Sequence, residues 1–231
     1  MTPIPSTNAA KLHALTKLGG YTAICGATLM IIGAGLMGST GTDLWVALDQ
    51  NDLAPYLTAI GKNKPILIAN LSFWIAGVLV IGMAESILTT LSTQRPGFAL
   101  AAKACFRTAV PLAIVAFLAM LSVLVQIAPD TSETAISIAK VVGWIGVRAD
   151  DIATALIVGA APLFISMAGR GNWMPNWLTN WGYLAGIIGL FSILVLFITS
   201  LAPFGIIIVP VGLGWLIATG IVLLRRKQEE A

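Results

Sequence analysis

Charge is scarce in this sequence. Lys, Arg, Asp and Glu together make up 10% of its 231 residues, where an ordinary soluble domain carries roughly 25%. Histidine and cysteine are scarcer still, and each shortage removes a class of chemistry. His13 stands alone before the first apolar run, so histidine pairs for haem or zinc have no members. Cys25 and Cys105 are spaced like no zinc or redox motif. The chain lacks H-E-x-x-H, G-x-S-x-G and the P-loop. The expectation is therefore no enzyme, no catalytic residue, no cofactor and no metal site. Nucleic acid is not an expected partner either, because the few cations lie in connecting segments rather than on a face interleaved with aromatics.

Apolar residues fill the space that charge leaves. Hydrophobic side chains make up 58% of the chain, and the mean hydropathy is +0.92. Several uncharged runs reach about 20 residues, the length that crosses a hydrocarbon core of about 30 Å as a helix. The short alternating segments of a membrane β-barrel are missing. The fold class is all-α: a polytopic membrane protein, one integral membrane domain over residues 1–231, with the lipid bilayer as its first partner. The N-terminal apolar run is too long for a signal-peptide core and lacks an A-x-A-like exit, so it reads as retained.

Six spans are expected, at about 20–38, 65–91, 108–128, 149–168, 182–201 and 204–224. Two further stretches read as short interfacial helices in the first and third loops. In the first, within 39–64, Trp45 and Tyr56 suit the headgroup region. The second is Thr134 to Val147, which lies just before the fourth span. Counting it as a seventh span would move the C-terminus to the other side. The distribution of Lys and Arg decides, since cytoplasmic segments keep an excess of them. With six spans, Lys11, Lys17, Arg95, Lys103, Arg107, Arg170, Arg225, Arg226 and Lys227 are inside, against Lys62, Lys64, Lys140 and Arg148 outside. Nine against four places both termini in the cytoplasm, in a cell (inner) membrane.

Small residues recur at helical-neighbour spacing: Ala23 with Ala27, Ala34 with Gly38, Gly182 with Gly186, and Ala185 with Gly189. They let helix backbones approach closely, within the chain or across a seam to a membrane-protein partner or a second copy. Trp173, Trp177 and Trp181 recur every four residues, as an interfacial belt beside Arg170 would. Pro210 falls within the sixth span and Pro111 in the first turn of the third.

Polar groups at depth are the candidate site. Glu85 is an acid within an apolar run and a candidate intramembrane acid, although it lies towards the end of its span, where a carboxylate can reach the headgroups. Arg148, Asp150 and Asp151 open the fourth span, where helix-start electrostatics and a local ion pair account for them. Asp150 and Asp151 point about 100° apart on a helix. With Asn70 and Gln126 at matching depth, these three residues form a candidate polar vestibule on the extracytoplasmic side.

The stretches D-Q-N-D-L-A-P-Y-L-T-A-I and G-N-W-M-P-N-W-L-T-N-W-G-Y-L-A-G resemble those of an uncharacterised family of bacterial six-helix integral membrane proteins. The resemblance implies a six-helix fold and carries no activity, cofactor or site residues. Two functions are then expected as alternatives. One is an accessory or scaffold protein acting through helix contacts. The other is a small-molecule transporter or binder using the vestibule.

Overall fold

The computed structural model describes residues 7–92, 94–198 and 202–226. Its elements are α1 (Thr7–Thr40), α2 (Leu44–Asp49), α3 (Leu53–Lys62), α4 (Lys64–Leu91), α5 (Pro96–Ser122), α6 (Glu133–Thr154), α7 (Ala161–Gly169), α8 (Asn176–Ser192) and α9 (Ala202–Arg225). A π-helical turn, Val123–Ile127, extends α5. A second, Ala155–Ala160, joins α6 to α7 without a break, and a 3-10 turn, Ile193–Leu196, continues α8. Apart from a bridge between Arg170 and Met174, no β structure occurs among the described residues.

Five helical segments among the described residues are long and apolar enough to cross a membrane: Ala10–Thr40, Lys64–Leu91, Pro96–Ile127, Glu133–Gly169 and Ile207–Arg225. The chain is thus a multi-pass, all-α protein by length and composition. The end of the expected fifth span, residues 199–201, lies outside the described residues.

Two differences from the expected helix boundaries bear on the site, each for a physical reason. The expected basic loop shrinks to the residues between Leu91 and Pro96, and Lys103 and Arg107 are exposed on α5 itself. Lys and Arg propagate helix well and carry their charge outward on long stems, so charge alone does not end a helix. Pro111 consequently stands inside α5 rather than in its first turn. The expected interfacial helix Thr134 to Val147 is not separate. It forms the first part of one 37-residue run, Glu133–Gly169, which is about 55 Å long at 1.5 Å per residue. Ser132 caps its start, its hydroxyl accepting from the Ala135 N–H, and no Gly or Pro interrupts the run before Gly143. Asp150 and Asp151 therefore lie midway along a helix, and the helix-start dipole cannot account for them.

Glycine pairs set the helix spacing. A side chain on Gly26 would meet the backbone of Gly77, joining α1 to α4, and one on Gly20 would meet that of Gly220, joining α1 to α9. Gly159 of the second π turn and Gly189 of α8 approach backbone to backbone. Such contacts place carbonyls and van der Waals surfaces close together where no hydrophobic force between helices operates in lipid. Ala23 and Ala27 are buried inside the chain, so this pair packs intramolecularly.

Tryptophan indoles add interhelical hydrogen bonds. Trp74 donates to the Met30 carbonyl at 3.2 Å. Trp181 and Trp215 reach across the α8–α9 contact in opposite senses, to Val211 and Leu178 carbonyls, each at 3.1 Å. The expected one-faced tryptophan belt does not form. Pro175 delays α8 until Asn176, and Gly171, at φ 74°, turns the chain so that Trp173 is buried and donates to the Ser92 hydroxyl at 3.1 Å. Of the three, Trp177 is the exposed one.

Candidate functional site

The loop between α1 and α4 builds one side of the site. Asp43 caps α2, its side chain accepting from the Val46 N–H. Leu44 and Leu48 then pack on α6 at Gly143, where the missing side chain leaves room for both. Asn51 turns the chain into α3 at φ 55°, a left-handed conformation that asparagine tolerates. Its Oδ1 accepts from Lys140 Nζ at 2.7 Å. Trp45 and Tyr56 are thereby drawn against the bundle, Tyr56 half-buried beside both apolar clusters. The Tyr56 phenol is pushed above its ordinary value by burial, with the negative charge of Asp43 adding to the effect.

Trp144, Arg148 and Asp151 follow at spacings of four and three, so they share one face of α6. The Arg148 guanidinium lies 5.1 Å from the Trp45 ring centroid and 4.9 Å from that of Trp144. The two rings stand 6.0 Å apart, nearly edge to face. Arg148 Nη1 is 3.4 Å from Asp151 Oδ2, and Trp45 Nε1 donates to Asp151 Oδ1 at 3.2 Å. A cation held between two aromatic faces, with its counter-ion fixed by one of those aromatics, is stabilised more than an exposed ion pair.

Asp150, on a different side of the same helix, takes no part in this cluster. It lines a cavity of about 40 Å³ to which every long helix except α8 contributes. Met30, Ile81, Phe117, Thr154 and Leu213 are among its other walls. Val78 and Ile81 stand near the middle of α4, so the cavity is at mid-height in the bundle. Such a volume accommodates a few waters, since one needs about 10–15 Å³ by this measure, whereas pockets for organic ligands run to about 300–1,000 Å³.

The remaining sequence candidates are dispersed. Asn70 is buried and donates to the Gly33 carbonyl at 2.9 Å, joining α4 to α1. Gln126 is exposed in the π turn that ends α5. Glu85 does not reach towards headgroups: it is wholly buried, and neither carboxyl oxygen has a hydrogen-bond partner. Of the five vestibule residues, the structure brings Arg148 and Asp151 into contact and sends Asn70, Gln126 and Asp150 to separate surroundings.

Trp45 was read as a headgroup anchor rather than a site residue, and Trp144, Thr154 and Thr219 escaped the sequence reading. The spacing Trp144, Arg148, Asp151 was a usable signal for part of the stack. Nothing local marked Trp45, which comes from another segment. Compared with known protein families, curated proteins and solved structures, the chain matches none.

Proposed function

We propose that the chain is a six-span integral protein of a bacterial cell (inner) membrane, with both termini cytoplasmic, working as an accessory or scaffold protein through lateral helix contacts. The likeness to the bacterial six-helix family belongs to the same reading. The nine-to-four distribution of basic residues supports the threading. The fifth span in this reading is α8 with its 3-10 extension, and α9 follows as the sixth and its antiparallel partner.

The observation that carries the functional reading is the outward face of α1. Tyr21, Cys25, Thr28, Ile32, Gly35 and Ser39 recur at helical spacing and are all exposed. Four of the six are small, and a side chain added at Gly35 or at nearby Gly38 would meet nothing within 4 Å. The outward face of α8 is large, at Ile187, Leu190 and Phe191, as are Val115 and Leu118 on α5, while that of α4 mixes Ser72, Ala76 and Ser86 with Leu79 and Met83. Large side chains suit lipid, while a shallow small-residue groove suits another helix. Crosslinking from Cys25 in native membranes, followed by mild solubilisation and co-purification, tests this. A stoichiometric adduct, with another protein or a second copy, is expected. A monomer free of adducts, with ligand-dependent thermal stability, would overturn it.

The second reading, a small-molecule transporter or binder, draws on the Asp150 cavity. Its volume of about 40 Å³ restricts that reading to very small solutes.

A further inference from the structure

Below the cavity the bundle holds a second polar feature. Glu85 follows Ile81 by one helical turn on α4, about 6 Å along the axis. It shares the face that Val78 and Ile81 turn to the cavity. Ala84 beside it, Ala23 of α1 and Ala109 of α5 are buried. The depth of Thr219 on α9 is fixed by a shared neighbour, since a side chain on Gly19 would touch both Ile87 and Leu223. Glu85 lies two residues before Ile87, and Thr219 four before Leu223. The two therefore differ in depth by only about 3 Å.

The Thr219 hydroxyl is buried and also has no partner. Several helical hydroxyls bond a carbonyl three or four residues back, as Thr16, Ser72 and Thr89 do, whereas those of Thr219 and Ser166 do not. That of Thr219 stays available. The titratable group beside Glu85 is the Cys105 thiol. Nearby cations are directed elsewhere: Lys17 Nζ donates to the Leu224 carbonyl, and Lys103 and Arg107 are exposed. On the helix of Asp150 itself, Arg148 and Asp151 are engaged with each other and with Trp45.

An ionised carboxylate at Glu85 would be desolvated with no compensating donor. A metal cation would need a shell of several oxygens, and among the described residues no three His, Cys, Asp or Glu side chains converge. A proton needs no shell, because it bonds directly to one carboxyl oxygen and cancels the charge. We propose that Asp150 and Glu85 are successive proton-binding stations on a path through the bundle interior, with cavity water beside Asp150 and the Thr219 hydroxyl, at nearly the depth of Glu85, between them. In each transfer the O–H bond of one carboxylic acid breaks, and a proton is relayed along water and the Thr219 hydroxyl, each taking one proton as it gives up another, until an O–H bond forms on the carboxylate at the other station. Charge leaving one carboxyl arrives at the other, and no oxidant or reductant takes part. This activity is separate from helix-contact function and stands or falls independently of it.

The full chain, reconstituted in phosphatidylcholine vesicles with an entrapped pH dye and a potassium diffusion potential set by valinomycin, provides the test. Proton entry several-fold above protein-free vesicles is expected. Glu85→Gln and Asp150→Asn should each return it to the protein-free level, Thr219→Val should slow it, and Glu133→Gln, at an exposed acid, should leave it unchanged. Infrared spectra of the wild type should show a carboxylic-acid carbonyl band that shifts in D2O and disappears in Glu85→Gln. If Glu85→Gln does not fold, Asp150→Asn and Thr219→Val decide by the same flux measurement. Flux at the protein-free level in the wild type, or wild-type flux in the folded acid variants, would overturn the proposal.

Discussion

Trp45 and Asp151 stand 106 positions apart in the chain, yet the indole Nε1 of one donates to the carboxylate of the other at 3.2 Å. That bond ties the α1–α4 connection to the middle of a 37-residue helical run. Replacing Trp45 by Phe keeps a ring over Arg148 and removes the donor. Hydrogen bonds to charged groups are worth about 1.5–3 kcal/mol, and partial exposure of Asp151 lowers this, so a loss of about 1–2 kcal/mol is expected. A double-mutant cycle of Trp45→Phe with Asp151→Ala, followed by denaturant unfolding in detergent, should return a coupling of about 1 kcal/mol. Additive effects would show that the contact contributes nothing to the fold.

Asp151→Asn separates the two bonds that this carboxylate makes. Asn retains an acceptor for Trp45 and loses the charge that faces Arg148. The Arg148 and Asp151 side chains are 30% and 15% exposed, which places the pair between a surface bridge and a fully buried one. The expected cost is about 1–2 kcal/mol, below the 3–5 kcal/mol typical of stripping a fully buried pair. An unchanged melting temperature would mean that headgroup water or solvent already screens the pair.

Two glycines should behave oppositely. Gly189→Ala would press a methyl group against the Gly159 backbone and should destabilise by about 1–3 kcal/mol through overpacking. Gly35→Ala meets nothing and should leave the isolated chain as stable, or up to about 1 kcal/mol more stable, because alanine favours helix over glycine. In native membranes Gly35→Leu should lower the yield of the Cys25 adduct while leaving folding intact. A Gly35→Leu protein that crosslinks as well as the wild type would argue against an interface on this face.

Tyr56 gives a pH dependence with a definite sign. Its phenol is held above the ordinary value near 10 by burial and by Asp43. Above that pH the unfolded chain ionises this tyrosine while the folded chain keeps its proton. The stability Tyr56 contributes is therefore intact below about pH 10 and lost as the pH rises towards the folded value. Melting temperatures of the wild type and Tyr56→Phe should run parallel below pH 10 and diverge above it, the wild type falling faster. Parallel curves throughout would show that the phenol is free to ionise.

The membrane class was legible because hydropathy is a summed property that tolerates local error. Small residues at helical spacing were legible for a similar reason, though not which neighbour they meet: Ala23 and Ala27 turn inward, while Gly35 and Cys25 on the same helix turn outward. Helix ends were harder. Lys103 and Arg107 looked like loop residues because their charge is polar, whereas their stems and their helix propensity favour α5. The 100° between Asp150 and Asp151 was readable from helix geometry, but not which of them faces the cavity. That depends on the rotation of α6, which packs Gly146 against Ala116 and Ala119 of α5 and Gly143 against Leu44 and Leu48. Asn70 and Glu85 show the same limit. One finds a backbone carbonyl and the other finds nothing, and neither outcome is encoded within a few residues of either position.

The threading underlies every statement of sidedness, and single-cysteine labelling tests it most directly. With Cys25 and Cys105 replaced by serine, single cysteines at positions 49, 94, 131, 172 and 231 are exposed to a membrane-impermeant maleimide before and after permeabilisation. Six spans with cytoplasmic termini predict that Asp49→Cys and Thr131→Cys react in intact cells, whereas Gln94→Cys, Asn172→Cys and Ala231→Cys react only after permeabilisation. Labelling of Ala231→Cys from outside intact cells would contradict the account.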